Sequence, residues 1–518
     1  MLARALWMAG LGLAMALVMP QTSSAQETIL RVANTGDVST LDAHRASATN
    51  DKTIIGWMYN GLVRFKPGSA DPKEIEPDLA ERWETTEGGK VWTFHLRKDV
   101  KFHGKWGTLS ADDVVYSLQR SGDPKRSTFS NDFTAIDRIE KVDDLTVRIT
   151  LKYPDVNFLG RVSNYHGGNI VSKKAAEELG DKFGGQPVGT GPFAFVEQVT
   201  QQYVKLAANP DYFRGKPKID TIMVRVIPSD SARELAFTSG ELDLMYGKRE
   251  QRWVDSARKR TGFNVDIFQP GEFRLLHINR TQAPLDDVRV RQAIAAAINV
   301  DDLVRYVGKD VGPKGCSVVP PGYLGEDCTV GSYKFDPARA KALLAEAGHK
   351  DGIAIKAIVS NISAQQPFME IIQAQLAKAG IKLDMQVVDH ATYQSQTRKD
   401  LSGLVFYGAA RFPIADTYLS EFFHSSATVG TPTGVTNFSH CAAADKEIEQ
   451  ARTVPDAEAQ KGLWKEAQRK IMADVCAVPL FELRQVWVHS DRLDYGYELK
   501  GALNLAPPIT ELTSLKAR

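Results

Sequence analysis

The sequence predicts an α/β protein built from more than one lobe, and three observations carry that prediction. Strand and helix periods alternate along the chain, and the run of strand 353–359, helix 368–379 and strand 381–388 implies a right-handed βαβ crossover. A chain of 518 residues exceeds what one hydrophobic core supports, so two or three lobes are expected. With 43% hydrophobic and 25% charged residues, the composition is that of an ordinary globular protein.

Taken in order, the chain opens on a segment with the pattern of a secretory signal. Arg4 supplies a short positive region, residues 5–19 an apolar core too short for a comfortable span, and Ser23-Ser24-Ala25 a small-residue cleavage site before Gln26. No cysteine follows the apolar run, so a lipid anchor is not expected. Formal charge is +1, from 64 Lys and Arg against 63 Asp and Glu, and Arg4 is the single charge of residues 1–25. The exported chain is therefore neutral, which argues against nucleic acid or an anionic membrane as the main partner.

A short strand is expected at 28–33. Asn50 or Asp51 can cap a helix carrying Ile54, Ile55, Met58 and Leu62. Trp92, Phe94 and Leu96 alternate with polar residues as in a half-buried strand. Ser110 with Asp113 three positions on resembles a capping box ahead of Val114, Val115 and Leu118. Further strands are expected at 145–151, 193–199, 203–206 and 221–227, and a helix at 231–240 ends on glycine. Beyond residue 275 the elements lengthen. Asp286 or Asp287 starts a helix with Val290, Ile294 and Ile298 on one side. Asp336, Pro337 and Gly348 punctuate another. A buried strand at 404–407, a long helix at 457–474 and a strand at 478–483 follow.

No catalytic signature appears: no G-x-S-x-G, no H-E-x-x-H and no C-x-x-C. Gly189-Thr190-Gly191 runs into Pro192 and reads as a turn before a strand, not as a phosphate cradle. His95 and His103 read as solvated or hydrogen-bonded imidazoles, and the Asp-Asp pairs as caps and turns. Neither a metal nor another cofactor is called for. The four cysteines allow three pairings. Proximity favours Cys316–Cys328 and Cys441–Cys476, with four buried thiols as the alternative.

Eight segments in register resemble the extracytoplasmic solute-binding proteins of ABC importers, family 5, the oligopeptide, dipeptide and nickel group. They are PDLAERW (77–83), WTFHLRKDVKFH…ADDVVYSLQR (92–120), VGTGPFAF (188–195), NPDYFRGKPKID (209–220), PLDDVRVRQAIAAAIN (284–299), FDPARAKALLAEAG (335–348), WKEAQRKI (464–471) and VPLFE (478–482). One departure is that Gly104 follows His103 directly, where relatives place an acidic residue first.

The resemblance implies a two-lobed periplasmic binding protein fold with an extra inserted domain. Domain I would gather 26–70, 187–275 and 490–518, domain II would be 71–186, and domain III 276–489. Ligand would bind between domains I and III, and hinge closure would present it to a membrane permease with ATPase subunits behind it. A monomeric periplasmic receptor in a Gram-negative bacterium, taking a short peptide or other small polar solute, is the expectation. A metal chelate, haem or an opine-type ligand is the alternative within the fold, and a secreted hydrolase or peptide chaperone the alternative outside it.

In peptide-binding relatives an aspartate anchors the ligand's amino group. That position falls at Arg411, and a nearby tryptophan falls at Gly408. A cation there would repel an amino terminus and could meet a carboxylate, unless it pairs with a protein acid such as Asp416. Tyr407 and Phe412 flank it. His44, Arg45, Tyr165, His166, Arg274 and Trp487 complete the candidate lining.

Overall fold

The computed structural model describes residues 27–516, apart from 156, 363 and 432–435. The leader expected at 1–25 lies outside the described residues. One mixed sheet of eight strands organises the molecule. Its order is Leu404–Ala409, Asn264–Ile278, Ala477–His489, Leu244–Tyr246, Ile29–Asn34, Thr221–Val226, Tyr203–Ala208 and Phe193–Val199. Ile29–Asn34 pairs parallel with both of its neighbours, and the other contacts in this sheet are antiparallel.

Two of these strands are unusually long, 15 residues for Asn264–Ile278 and 13 for Ala477–His489. They run from one lobe into the other. Their mutual register shifts twice, between Phe268 and Glu272 at Gln269-Pro270-Gly271 and again between Arg274 and Leu275. Pro270 has no N–H to give the ladder, so the pairing cannot be continuous there. A pair of strands interrupted at one level can bend at that level without losing the ladder on either side.

On one side of the break lies a core that includes Leu30, Val32, Trp57, Met58, Phe94, Leu118, Ile149, Phe158 and Trp487. It takes in a four-stranded antiparallel sheet, Ala80–Thr86, Val91–Leu96, Thr146–Leu151 and Ile136–Asp143 in spatial order. The alternation at Val91–Leu96 is as expected, with Trp92, Phe94 and Leu96 buried. The helix Ala111–Gly122 packs on this unit, and its Asp113 carboxylate accepts from the Ser110 N–H at 3.0 Å, completing the capping box. The expected cap at residues 50–51 is not formed. The helix starts earlier, at Thr49, and Asp51 turns away to accept from the Ser39 N–H and Oγ at 2.9 and 2.6 Å.

On the other side, strands Ile353–Ser360 and Ile381–Val388 pair parallel around helix Gln366–Lys378, the expected βαβ unit. They form their own two-stranded sheet beside the main one. Disulfides join Cys316 to Cys328 and Cys441 to Cys476, 12 and 35 residues apart in sequence.

His277 is sealed in this second lobe, with neither ring nitrogen hydrogen-bonded among the described residues. The rings of Phe438, Phe423 and Phe422 stand 5.5, 5.8 and 6.0 Å away. Burial pushes its pKa from 6.5 down to about 3. The imidazole is thus neutral when folded, while the unfolded chain takes up a proton below its ordinary value of 6.5. Stability is full above that value and is lost as pH falls toward the folded value, by about 3 kcal/mol at about pH 4.5. His277→Phe is expected to remove this share of the acid limb. Urea unfolding at neutral and acid pH checks it, and an unchanged pH dependence would discard the assignment.

Candidate ligand-binding cleft

The cleft lies where the two lobes face each other beyond the hinge strands. Its first cluster is built around Arg411, just after strand Leu404–Ala409. The guanidinium donates through Nε to the Glu421 carboxylate and lies 5.7 Å from the Phe422 ring centroid. Both charged groups lie deep in the protein, yet their side chains keep 24% and 32% of their surface.

The opposite wall comes from the first lobe. Lys52, on helix Thr49–Met58, holds its ammonium 5.8 Å from the Phe129 ring. Burial first, then the Arg411 charge, brings its pKa down to about 8 against the pull of Asp132 and Glu421. Phe129, His166 and Tyr165 form a stack with centroid separations of 4.1 and 3.6 Å. Burial, with Lys52 and Arg411 nearby, holds the His166 imidazole well below its usual range, so it is neutral at physiological pH. Burial raises the carboxyls of Asp132 and Glu421 despite the cations around them. The cluster thus offers cations for a carboxylate and acids for an ammonium.

Further pairs join the two walls. Phe65 meets Phe412 edge-on at 5.7 Å, and Arg161 lies 3.9 Å from Asp416. Phe412 packs so closely on Gly160 that a Cβ there would fall 2.2 Å from its Cζ. Asp416 is therefore not the partner of Arg411. It pairs with Arg452 at 3.4 Å and with Arg161, while Glu421, five residues further along helix Ala415–Phe423, takes Arg411.

A second cluster sits at the hinge end. Arg249, in the loop after strand Leu244–Tyr246, donates to Glu272 at 2.7 Å. Arg274, two residues along the hinge strand, also donates to Glu272.

Of the residues singled out in sequence, Tyr165, His166, Tyr407, Arg411 and Phe412 meet around the first cluster, Asp416 lies at its closing edge, and Arg274 belongs to the second. Three others are placed elsewhere. His44 is fully buried and holds the Asn169 carbonyl at 2.9 Å through Nε2. Arg45 is half exposed, 3.9 Å from Asp42. Trp487 is 1% exposed and donates to the Leu505 carbonyl at 3.0 Å, edge-on to Tyr246. None of the three forms a hydrogen bond or ion pair with Arg411, Lys52, Glu421 or Arg274 among the described residues. The side chains of His44 and Trp487 satisfy backbone carbonyls, the usual fate of a buried polar ring.

Lys52, Asp132, Glu421, Arg249 and Glu272 were not found in sequence. A signal existed for Glu272 and Arg274, since they are opposite charges two positions apart next to the apolar run Leu275-Leu276, and charges beside a buried run are unusual. Lys52, Asp132 and Glu421 looked like ordinary surface charges.

Comparison with known proteins gives the family and the fold. The profile of the bacterial extracellular solute-binding proteins, family 5, middle region, matches residues 74–430. The chain is 32% identical to heme-binding protein A of Haemophilus influenzae, over 71% of this chain and 72% of that protein. It is 30% identical to di/tripeptide-binding protein 2 of Pseudomonas aeruginosa, over 82% and 83%. Among solved structures, MoaA of A. tumefaciens in complex with mannopinic acid superposes with a TM-score of 0.87, at 47% identity, covering 95% of this chain and 100% of that one. DppA of Helicobacter pylori in complex with the peptide STSA superposes with 0.81, at 29% identity, covering 94% and 98%. The molecule shares their two-lobed α/β periplasmic binding protein fold.

Proposed function

Because the chain belongs to the bacterial extracellular solute-binding proteins of family 5, it is the substrate-binding component of an ABC importer, and we propose that its solute is an opine-type organic acid. One observation carries this: Arg411 and Lys52 face the seam between the lobes in a chain whose 47%-identical neighbour holds mannopinic acid. A carboxylate entering between two cations contacts both walls only when the lobes are shut, so binding favours the closed state.

The ligand's second half meets Asp132 and Glu421, which suits a protonated amine. A dipeptide is the second reading, because the same two carboxyls could hold an amino terminus. The chain would reach the periplasm of a Gram-negative bacterium through the leader at 1–25 and would work as a monomer. It would deliver cargo to permease subunits in the inner membrane, with ATPase subunits behind them. The division into domain I (26–70, 187–275 and 490–518), domain II (71–186) and domain III (276–489) belongs to the same proposal, with the cleft between domain III and the lobe to which domains I and II both contribute.

Thermal unfolding against mannopinic acid, agropinic acid, a dipeptide, haem and Ni(L-His) tests the assignment. A ligand at about 100 times its Kd stabilises the native state by about 2.7 kcal/mol. The acids are expected to raise the Tm. Stabilisation by the dipeptide alone would replace the reading with the second one, and stabilisation by haem or Ni(L-His) alone would discard both.

A further inference from the structure

We infer that Arg274 and Arg249 form a carboxylate subsite at the hinge end of the cleft, and that the missing side chain at Gly408 opens it. This rests on the opine-acid reading and adds to it the place where a second acidic group is held.

The argument begins with strand register. Arg274 on Asn264–Ile278 stands opposite Gly408 on Leu404–Ala409. A Cβ at position 408 would fall 2.6 Å from Arg274 Cδ and 2.7 Å from the Phe273 carbonyl oxygen. The arginine side chain therefore runs across the glycine, through space that any other residue would fill. Its guanidinium lies 5.8 Å from the Phe406 ring centroid. A guanidinium held beside an aromatic face loses freedom of orientation, and its planar fork suits recognition of a carboxylate.

The charges at this end do not balance. Nη2 of Arg274 and Nη1 of Arg249 both donate to the single Glu272 carboxylate. Burial favours the neutral acid, but Arg249 and Arg274 overcome it and hold Glu272 down to about 2. Two fixed cations thus share one anion and leave a positive charge in surplus. Arg274 is 7% exposed, and its Nε has no partner among the described residues. A buried donor without an acceptor costs free energy unless something fills the place. The nearby His390 does not supply the missing anion, since its ring is neutral or cationic and its Nδ1 is shared with Ser360 Oγ at 3.0 Å. Arg249 and Glu272 keep 19% and 26% of their side-chain surface, so the cluster opens to the space between the lobes.

Arg249 follows strand Leu244–Tyr246, and Glu272 and Arg274 lie just past the break at Gln269-Pro270-Gly271. An anion bound to both guanidinium groups joins that loop to the long strand beside its break.

Calorimetric titration of the mature chain with mannopinic acid, and with the same compound converted to its amides, tests the subsite. Arg274→Gln is expected to weaken the acid on the order of a hundredfold. Arg274→Lys should fall between, because it keeps the charge and loses the fork. Gly408→Ala should weaken the acid in the same direction by displacing Arg274. The amides should bind weakly and should not distinguish Arg274→Gln from wild type, a readout that a merely structural role would not produce. The unliganded Tm of each variant shows that it is folded, and should Gly408→Ala lose its transition, the two Arg274 variants decide. Acid affinity within twofold of wild type in Arg274→Gln overturns the subsite and leaves the opine-acid reading intact. Failure of wild type to bind either mannopinic or agropinic acid overturns both.

Discussion

Arg411→Asp is expected to weaken an acidic ligand at least a hundredfold, because it turns the attractive cation into a repulsive anion in a low-dielectric seam. The loss has a structural side. Glu421 would lose its partner and face a like charge, with Asp132 nearby. Full burial would make this cost large, but Arg411 and Glu421 keep 24% and 32% of their side-chain surface. Water and screening reduce it to on the order of 2 kcal/mol. A second readout separates charge from packing. The Lys52 ammonium, held down to about 8 by burial and then by Arg411, should rise once that cation is gone. Calorimetry measures the first effect and the pH dependence of amine modification at Lys52 the second. Unchanged affinity would remove Arg411 from the site.

Glu482→Leu is expected to cost about 4 kcal/mol of stability, because three hydrogen bonds to one buried carboxylate are lost together. The carboxylate is fully buried at the hinge. It accepts from the Gly271 N–H at 2.7 Å, from Gln269 Nε2 at 2.7 Å and from the Tyr323 hydroxyl at 2.8 Å. These bonds tie the interrupted strand to its partner at the level where the lobes bend. Their loss should lower the Tm and also weaken ligand, since the closed arrangement is no longer anchored. Urea unfolding measures the first and titration the second. A loss under about 1 kcal/mol would mean that solvent reaches the three donors and replaces the carboxylate.

The strand at Val91–Leu96, the capped helices and the parallel pair around Gln366–Lys378 were legible because each is set by local period and cap chemistry. The two hinge strands were not. Gln269-Pro270-Gly271 broke one pattern, and the other was read only at 478–483, although it continues to His489. Proline and glycine mark turns in most chains, and only pairing with a distant strand carries the ladder past them.

The site divided in the same way. Arg411 stood out because a cation occupies the place of an expected anion, and that much follows from the order of residues. Which carboxylate it meets did not follow. Asp416 is nearer in sequence, but its side chain turns toward Arg452 and Arg161. Thus the chain by itself determined the elements set by local period and caps, the family resemblance and, through that resemblance, one chemical anomaly. Tertiary structure alone decided that Lys52, Asp132 and Glu421 share a seam with Arg411, and that Arg274 lies across Gly408. The physical reason is distance. Periodicity acts over a few residues, whereas these charges meet across hundreds of positions, brought together by lobes that close on a hinge.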